Sequence, residues 1–403
     1  MEISKEQYSL SPFNEYPEVS GGIKFNEHLT LSDCTLRDGE QQAGVVFTKE
    51  DKIEIAAYMD AMHIPEIEAG MPCNSQADAD AICEISKQAK YSRITCVIRG
   101  MEKDIDLAAG LGVYGVTFSL PIGTLQRQYK LKWDDETYIS TMCHLAEYAK
   151  KKGLYVCLSP YDTTRADPAW MDRVMTEAVN CGAIDRIRLV DTVGAASPEA
   201  IGYITRRMKR ILGERVWLEV HCHNDFGLAV ASTLAGAMNG ADVVSTTING
   251  LGERAGNTAT EEVLMALRLL YGVDLGVDLT KLVGISEMVE RLSAAPIQKH
   301  KAIVGKHAFS HESGMVVAGV LQCPFVAEAY APELVGAKRE FLIGKKSGAK
   351  SIEAKLAQQG LSLPAEDVRM LTEDVKNKAI ELKRSLNDSE FYALAEKYLS
   401  QQN

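Results

Sequence analysis

Two histidines, His221 and His223, stand two residues apart at the end of the apolar run that begins at Trp217. Side chains alternate along a strand, so both imidazoles point the same way. Two parallel imidazoles at a strand end are well placed to ligate one divalent metal, and the chain holds only 8 histidines in all. The competing reading is a pair of hydrogen-bonded core histidines. Elsewhere, Arg37 precedes Asp38 directly. The carboxylate can join the imidazoles as a third ligand, and a His–His–carboxylate set leaves positions open for a chelating substrate or water. The arginine can stabilise negative charge developing on a substrate oxygen, or form a salt bridge to a neighbouring acid such as Glu68. Thr192 offers a hydroxyl and nearby backbone N–H groups to a carboxylate.

These residues need a frame that brings their segments together. Short apolar runs at Leu29–Leu36, Ile64–Ala69, Arg93–Ile98, Tyr114–Ser119, Tyr155–Ser159, Ile184–Val190, Trp217–Cys222 and Asp242–Ile248 read as strands. Helical stretches separate them, with start signals at Thr48–Asp51, Asp167-Pro168, Ser197-Pro198 and Thr258–Glu261. Gly153 and Gly240 suit left-handed helix ends. Eight such units in about 250 residues is the arithmetic of a (β/α)8 TIM barrel. An open doubly wound sheet competes, but no G-x-G-x-x-G turn follows the first strand. In a closed eight-stranded barrel, strand seven lies two places from strand one, so Asp38 can reach the two histidines. The glycines at 250, 252 and 256 permit tight turns either beside a ligand or simply within the loop.

The expected division is an N-terminal arm over 1–24, a barrel over 25–278, and a mainly helical C-terminal extension over 279–403. Within the extension, a loop over 296–348 precedes helices at 347–359, 365–385 and 389–400. The formal charge, 44 basic less 55 acidic residues, is −11, which argues against a partner of nucleic acid, whose readers carry basic surfaces. The 9 cysteines are scattered with no C-x-x-C pair, as in a reduced cytoplasmic protein. No membrane span is expected either: the longest uncharged stretch is broken by Gly, Ser, Thr and Asn, and residues 1–24 lack a signal-peptide pattern.

D-C-T-L-R-D-G-E-Q at 33–41, L-V-D-T-V-G at 189–194, H-C-H-N-D at 221–225 and T-I-N-G-L-G-E-R-A-G-N at 247–257 resemble the signatures of the DRE-TIM metallolyase superfamily. Within it the chain is most similar to the homocitrate synthase, isopropylmalate synthase and Re-citrate synthase group. The resemblance implies a divalent metal (Mg2+, Mn2+ or Zn2+) on Asp38, His221 and His223, chelated by a 2-oxo acid. Arg37 would polarise the ketone and Thr192 hold the carboxylate. The enolate of acetyl-CoA would attack that ketone, and thioester hydrolysis would release CoA and a 2-hydroxy acid. Glu68, Arg99 and Asn257 match pocket positions of the family. The loop Leu125–Tyr129, with Gln126 and Arg127, resembles the pocket loop of homocitrate-type enzymes and favours a dicarboxylic 2-oxo acid, oxaloacetate or 2-oxoglutarate. Related enzymes are homodimers in which the C-terminal extension caps the partner barrel.

The chain departs from the family at its acid–base residues. Tyr161 occupies the slot of the family glutamate after strand five. Met315-Val316 replaces the Ile-His of the S-G-I-H pattern, and Ala327 stands where a tyrosine is expected. A condensation still needs a base near the methyl group; His311, Tyr161, Asp162 and Tyr330 are the substitutes. The missing set also supports an alternative, a metal-dependent lyase or aldolase that cleaves a carbon–carbon bond. Cys323-Pro324-Phe325 superficially resembles the cysteine loop of hydroxymethylglutaryl-CoA lyases, but it lies in the extension. A third reading, a scaffold without catalysis, sits poorly with so coherent a site.

Overall fold

The computed structural model describes residues 3–400. They form two compact units: Phe13–Ile297, and the residues up to Pro12 together with those from Gln298 onward. The division therefore falls after 297 where the sequence placed it after 278, because the helix Leu282–Ser293 packs against the helix Lys49–Ala61. The first residues of the expected arm join the C-terminal unit through pairing of Tyr8 with Tyr330.

The larger unit is a closed barrel of eight parallel strands in chain order. They are β1 Thr30–Asp33, β2 Glu66–Glu68, β3 Arg93–Ile98, β4 Gly115–Ser119, β5 Tyr155–Ser159, β6 Arg186–Asp191, β7 Trp217–Cys222 and β8 Val243–Thr246. Pairing of Thr30–Asp33 with Val243–Thr246 closes the ring. Each strand is followed by a helix: α1 Lys49–Ala61, α2 Gln76–Gln88, α3 Glu102–Gly110, α4 Asp135–Lys151, α5 Pro168–Cys181, α6 Pro198–Leu212, α7 Ala229–Ala237 and α8 Thr260–Met265.

Local chemistry sets the helix ends. Thr48 and Asp51 form a reciprocal capping box at α1. Asp167 accepts the N–H groups of Ala169 and Trp170, with Pro168 at the first turn of α5, where its missing donor costs nothing. Gly153 takes φ 81° after α4, a conformation that a side chain would strain. The capping box expected over Thr258–Glu261 does not form. Ala259 is the N-cap of α8, and the Thr258 hydroxyl is spent on Thr233 and the Cys222 carbonyl.

The strands' outward residues, among them Leu31, Ile67, Phe118, Leu158, Leu189 and Val220, are buried. The interior is charged. Glu66 and Glu68 on β2 meet Arg186 and Arg188 on β6, strands that are not neighbours, so these side chains join across the barrel axis. Glu219 on β7 joins both arginines. Barrel interiors are more usually packed with branched aliphatic side chains.

In the C-terminal unit, Ser310–His311 and Glu340–Phe341 form a short parallel pair. Helices follow at Ala349–Ala357, Ala365–Leu382 and Asp388–Leu399, within two or three residues of the sequence expectation at either end. Ile352, Leu356, Leu371, Val375 and Phe391 bury their faces against one another, the apolar stripe expected of amphipathic helices.

Candidate active site

Asp38 reaches the barrel mouth through a tight turn. Asp33 ends β1 and accepts the Thr35 N–H, and the Cys34 carbonyl accepts N–H groups from Arg37, Asp38 and Gly39. This winding lifts Asp38 one turn above the strand, over the ends of β7 and β8. There Asp38 Oδ2 lies 2.9 Å from His221 Nε2 and 3.8 Å from His223 Nε2, and the two imidazole nitrogens are 3.4 Å apart. All three side chains are buried, and their ligand atoms lie within 4.8 Å of one another.

The electrostatics suit a cation. Burial pushes the Asp38 carboxyl up, but Arg37, His221 and His223 outweigh it and hold it well below the usual carboxylate range. Burial lowers His221 and brings His223 down to about 4. Both rings are therefore neutral at pH 7, each with one N–H. His221 Nδ1 lies 2.9 Å from the Ser245 hydroxyl, its register partner on β8. Without a cation, Nε2–H donates to the Asp38 carboxylate; the tautomer that donates to Ser245 instead frees Nε2 as an acceptor, the form in which it would face a cation together with Asp38. A hydroxyl on the far nitrogen is the outer-shell support that metal-ligating histidines use. His223 Nδ1 is buried without a hydrogen-bond partner.

A cavity of about 290 Å3 opens beside these three side chains, and Arg37, Gln126, Tyr161 and Thr192 line it with them. Thr192 Oγ1 accepts the Asp162 N–H at 2.8 Å, leaving its own proton to donate. Burial, then Asp162, raises the Tyr161 phenol above its ordinary pKa. Arg188, Lys130, Gln41 and Glu253 line the cavity too. A larger cavity, about 400 Å3, lies among Ala56, Ile85, Ala89 and neighbours on α1 and α2. It includes none of the site residues expected from sequence, and chemistry, not size, identifies the working cavity.

The other expected residues lie apart from the lining. Glu68 is buried directly beneath it, 2.5 Å from Arg37 Nε and 2.8 Å from Arg188 Nη2. Arg37 is thus salt-bridged to Glu68 and also lines the cavity. Arg99 is clamped by Asp104 through two hydrogen bonds of 2.8 and 2.9 Å and is half exposed. Asn257 is buried; its backbone pairs with His223, its amide donates to the Leu251 carbonyl, and its Oδ1 has no partner. Gly252, at φ 158°, leaves room for that amide, since a Cβ would lie 2.1 Å from Asn257 Nδ2. The loop's glycine requirement is thus met within the loop.

Arg127 turns away, to Asp135 at 2.5 Å and over the Trp170 ring. The cation of that loop at the cavity is Lys130, placed beside Gln126 by a π-helical turn over Arg127–Leu131. Asp162 is fully buried and held by Arg165. His311 and Tyr330 belong to the C-terminal unit. There His311 Nε2 lies 2.9 Å from Glu328, which Arg339 grips through both its oxygens. Burial pushes the Tyr330 phenol up to about 12.

Sequence reasoning missed Arg188 and Lys130. Arg188 carried a signal, since Arg186 and Arg188 alternate with Ile187 and Leu189 in a strand flanked by buried neighbours.

A closed (β/α)8 barrel with such a set at its carboxyl end defines a class of enzyme in which strand-end side chains carry the chemistry. Residues 28–289 match the HMGL-like family, and residues 303–383 match the homocitrate synthase post-HMGL domain-like family. The chain belongs to the HMGL-like family, with the homocitrate synthase type of C-terminal domain attached. It is 38% identical to homocitrate synthase AksA of Methanothermobacter thermautotrophicus, over 96% of this chain and 97% of the relative. It is 38% identical to 2-isopropylmalate synthase 2 of Caldanaerobacter subterraneus subsp. tengcongensis, over 93% of this chain and 97% of that one. An HMG-CoA lyase of Bacillus subtilis superposes with a TM-score of 0.61 at 19% identity, covering 68% of this chain and 97% of the lyase, a likeness of fold alone. The protein is an enzyme of the acyltransferase class that converts an acyl group into an alkyl group on transfer. Among the described residues, no helix is long and apolar enough to cross a membrane.

Proposed function

We propose that the protein condenses acetyl-CoA with a dicarboxylic 2-oxo acid, oxaloacetate or 2-oxoglutarate, releasing CoA and a 2-hydroxy di- or tricarboxylate. The observation that carries this reading is the convergence of Asp38, His221 and His223 with Arg37 and Thr192 at one cavity. A divalent cation held by the first three supplies Lewis acidity to a ketone oxygen. Arg37 donates to the charge that develops on that oxygen. The Thr192 hydroxyl donates to the carboxylate beside the ketone. Lys130 forms no ion pair among the described residues, and with Gln126 it offers a positive, hydrogen-bonding rim to a second carboxylate.

Tyr161, with its raised pKa, keeps its proton at pH 7 and serves as a donor in place of a base. His311 is then the group proposed to take the methyl proton, oriented by Glu328. The functional unit is proposed to be a homodimer in which the extension of one chain caps the partner's barrel. Arg99, Glu68 and Asn257 act as pocket supports in this reading.

The test is release of free CoA thiol from acetyl-CoA by metal-loaded protein with oxaloacetate, 2-oxoglutarate, 2-oxoisovalerate or pyruvate. Release is expected with a dicarboxylic acid. Turnover only with a monocarboxylic acid removes the role given to Lys130. No release with any acid, together with CoA-independent cleavage of a hydroxy acid, moves the protein to the lyase reading.

A further inference from the structure

The condensation reading above gives no role to Arg188, which belongs to the charged layer beneath the site and also lines the cavity. Arg188 is almost completely buried, with its side chain only 2% exposed. Its Nη2 lies 2.8 Å from Glu68 Oε2 and its Nη1 3.4 Å from Glu68 Oε1. On the other side its Nε approaches Glu219 Oε1 at 2.7 Å, an ion pair without hydrogen-bond alignment. Glu68 in turn holds Arg37 Nε at 2.5 Å, and Arg37 Nη1 lies 3.2 Å from Asp38 Oδ2. A continuous run of opposite charges therefore leads from Glu219 through Arg188, Glu68 and Arg37 to Asp38.

The geometry points to Arg188 as a positioning residue that, through Glu68, fixes the guanidinium of Arg37 against the reacting oxygen. Two opposing attractions act on Arg37, one from Glu68 below and one from Asp38 beside it. A guanidinium free to turn wholly onto Asp38, beyond the single Nη1 contact it makes now, would compete with the cation for that carboxylate and abandon the ketone. Glu68 prevents this only while its own carboxylate is fixed. The Thr117 hydroxyl, at 3.2 Å, is a single weak tether. Arg188, anchored in turn by Glu219, supplies the fork that fixes the plane of that carboxylate, as a lysine's point charge cannot. The inference rests on the condensation reading for its kinetic consequence but not for its geometry.

The experiment is a double-mutant cycle on the full metal-loaded chain with Arg37→Lys, Arg188→Lys and both changes. The expected result is a loss in kcat of at least about tenfold for Arg188→Lys, with KM for acetyl-CoA unchanged, and no further loss when Arg188→Lys is added to Arg37→Lys. Losses that multiply, or a kcat like that of the unaltered protein, overturn it. A second readout does not need turnover. The Arg37 Nε–H signal in nitrogen–proton correlation spectra, assigned by its disappearance in Arg37→Lys, shifts or broadens in Arg188→Lys. An unmoved signal refutes the positioning. If the unaltered protein releases no CoA with any 2-oxo acid, the functional reading fails while the spectrum still decides the geometry. Should Arg188→Lys not fold, Arg188→Met with Glu219→Gln removes one charge of each sign, leaving Arg186 with Glu66 and Arg37 with Glu68, and the same spectrum is read.

Discussion

The top of the barrel and the layer directly below it use the same residue types for opposite ends. Below, Arg186 and Arg188 stand against Glu66, Glu68 and Glu219, with Arg37 as the third guanidinium, and each charge has a partner within 3.1 Å. Above, Asp38 shares Arg37 with Glu68 and otherwise faces two neutral imidazoles. The lower layer closes its own account of charge. The upper one converges acceptors that the chain does not neutralise. Buried ion pairs are costly to desolvate and seldom add stability over apolar packing. Here they give the mouth a rigid, polar floor on which Arg37 is held, as site design requires of supporting residues.

That contrast can be broken from either side. The largest effect is expected at the top. Asp38→Asn should cut kcat/KM at least about 100-fold, since the Lewis acid contributes several kcal/mol to stabilising charge. A steady-state assay checks it; an unchanged kcat/KM would place Asp38 with the structural layer. The lower layer should answer in the opposite way. Glu219→Gln leaves Arg186 and Arg188 with one carboxylate each and should cost about 3–5 kcal/mol of stability by denaturant unfolding.

The smallest effect sharpens the edge of the comparison at Asp33, buried where β1 ends. Burial raises its carboxyl to about 6 despite hydrogen bonds from Thr35 and Thr260. The folded protein then binds more protons at this group than the unfolded chain between about pH 4 and pH 6. Stability from Asp33 is therefore full below about pH 4 and falls as pH rises to about 6, by at most about 3 kcal/mol. Asp33→Asn should flatten that part of the stability–pH curve; an unchanged slope would show that Asp33 titrates normally.

Much of this architecture was legible in the residues. Strands β3, β5 and β7 run over the residues expected, because each is a short apolar run bounded by clear turn signals. β1 and β8 are shorter than their apolar runs, and the reason is physical. After Asp33 the chain winds around the Cys34 carbonyl, and after Thr246 it turns into the loop that packs Asn257. The convergence of Asp38, His221 and His223 followed from period-two alternation and ring closure. Arg188 did not, since an arginine in a strand is usually assigned to solvent and its carboxylate partners lie 120 and 31 residues away. Lys130 was hidden because a π-helical turn changes which loop residue meets the cavity, and Arg127 was the residue that family likeness favoured. The link between His311 and Glu328 spans the helix Gly314–Val320, in a stretch that the sequence reads as loop.

The most direct test of the central claim, that the upper layer is completed from outside the chain, is calorimetric titration of the metal-free protein with Mg2+, Mn2+ and Zn2+. One site per chain is expected, lost in His221→Ala and unaffected in Lys130→Met. Saturable binding that survives His221→Ala, or no binding at all by the unaltered protein, would contradict the account.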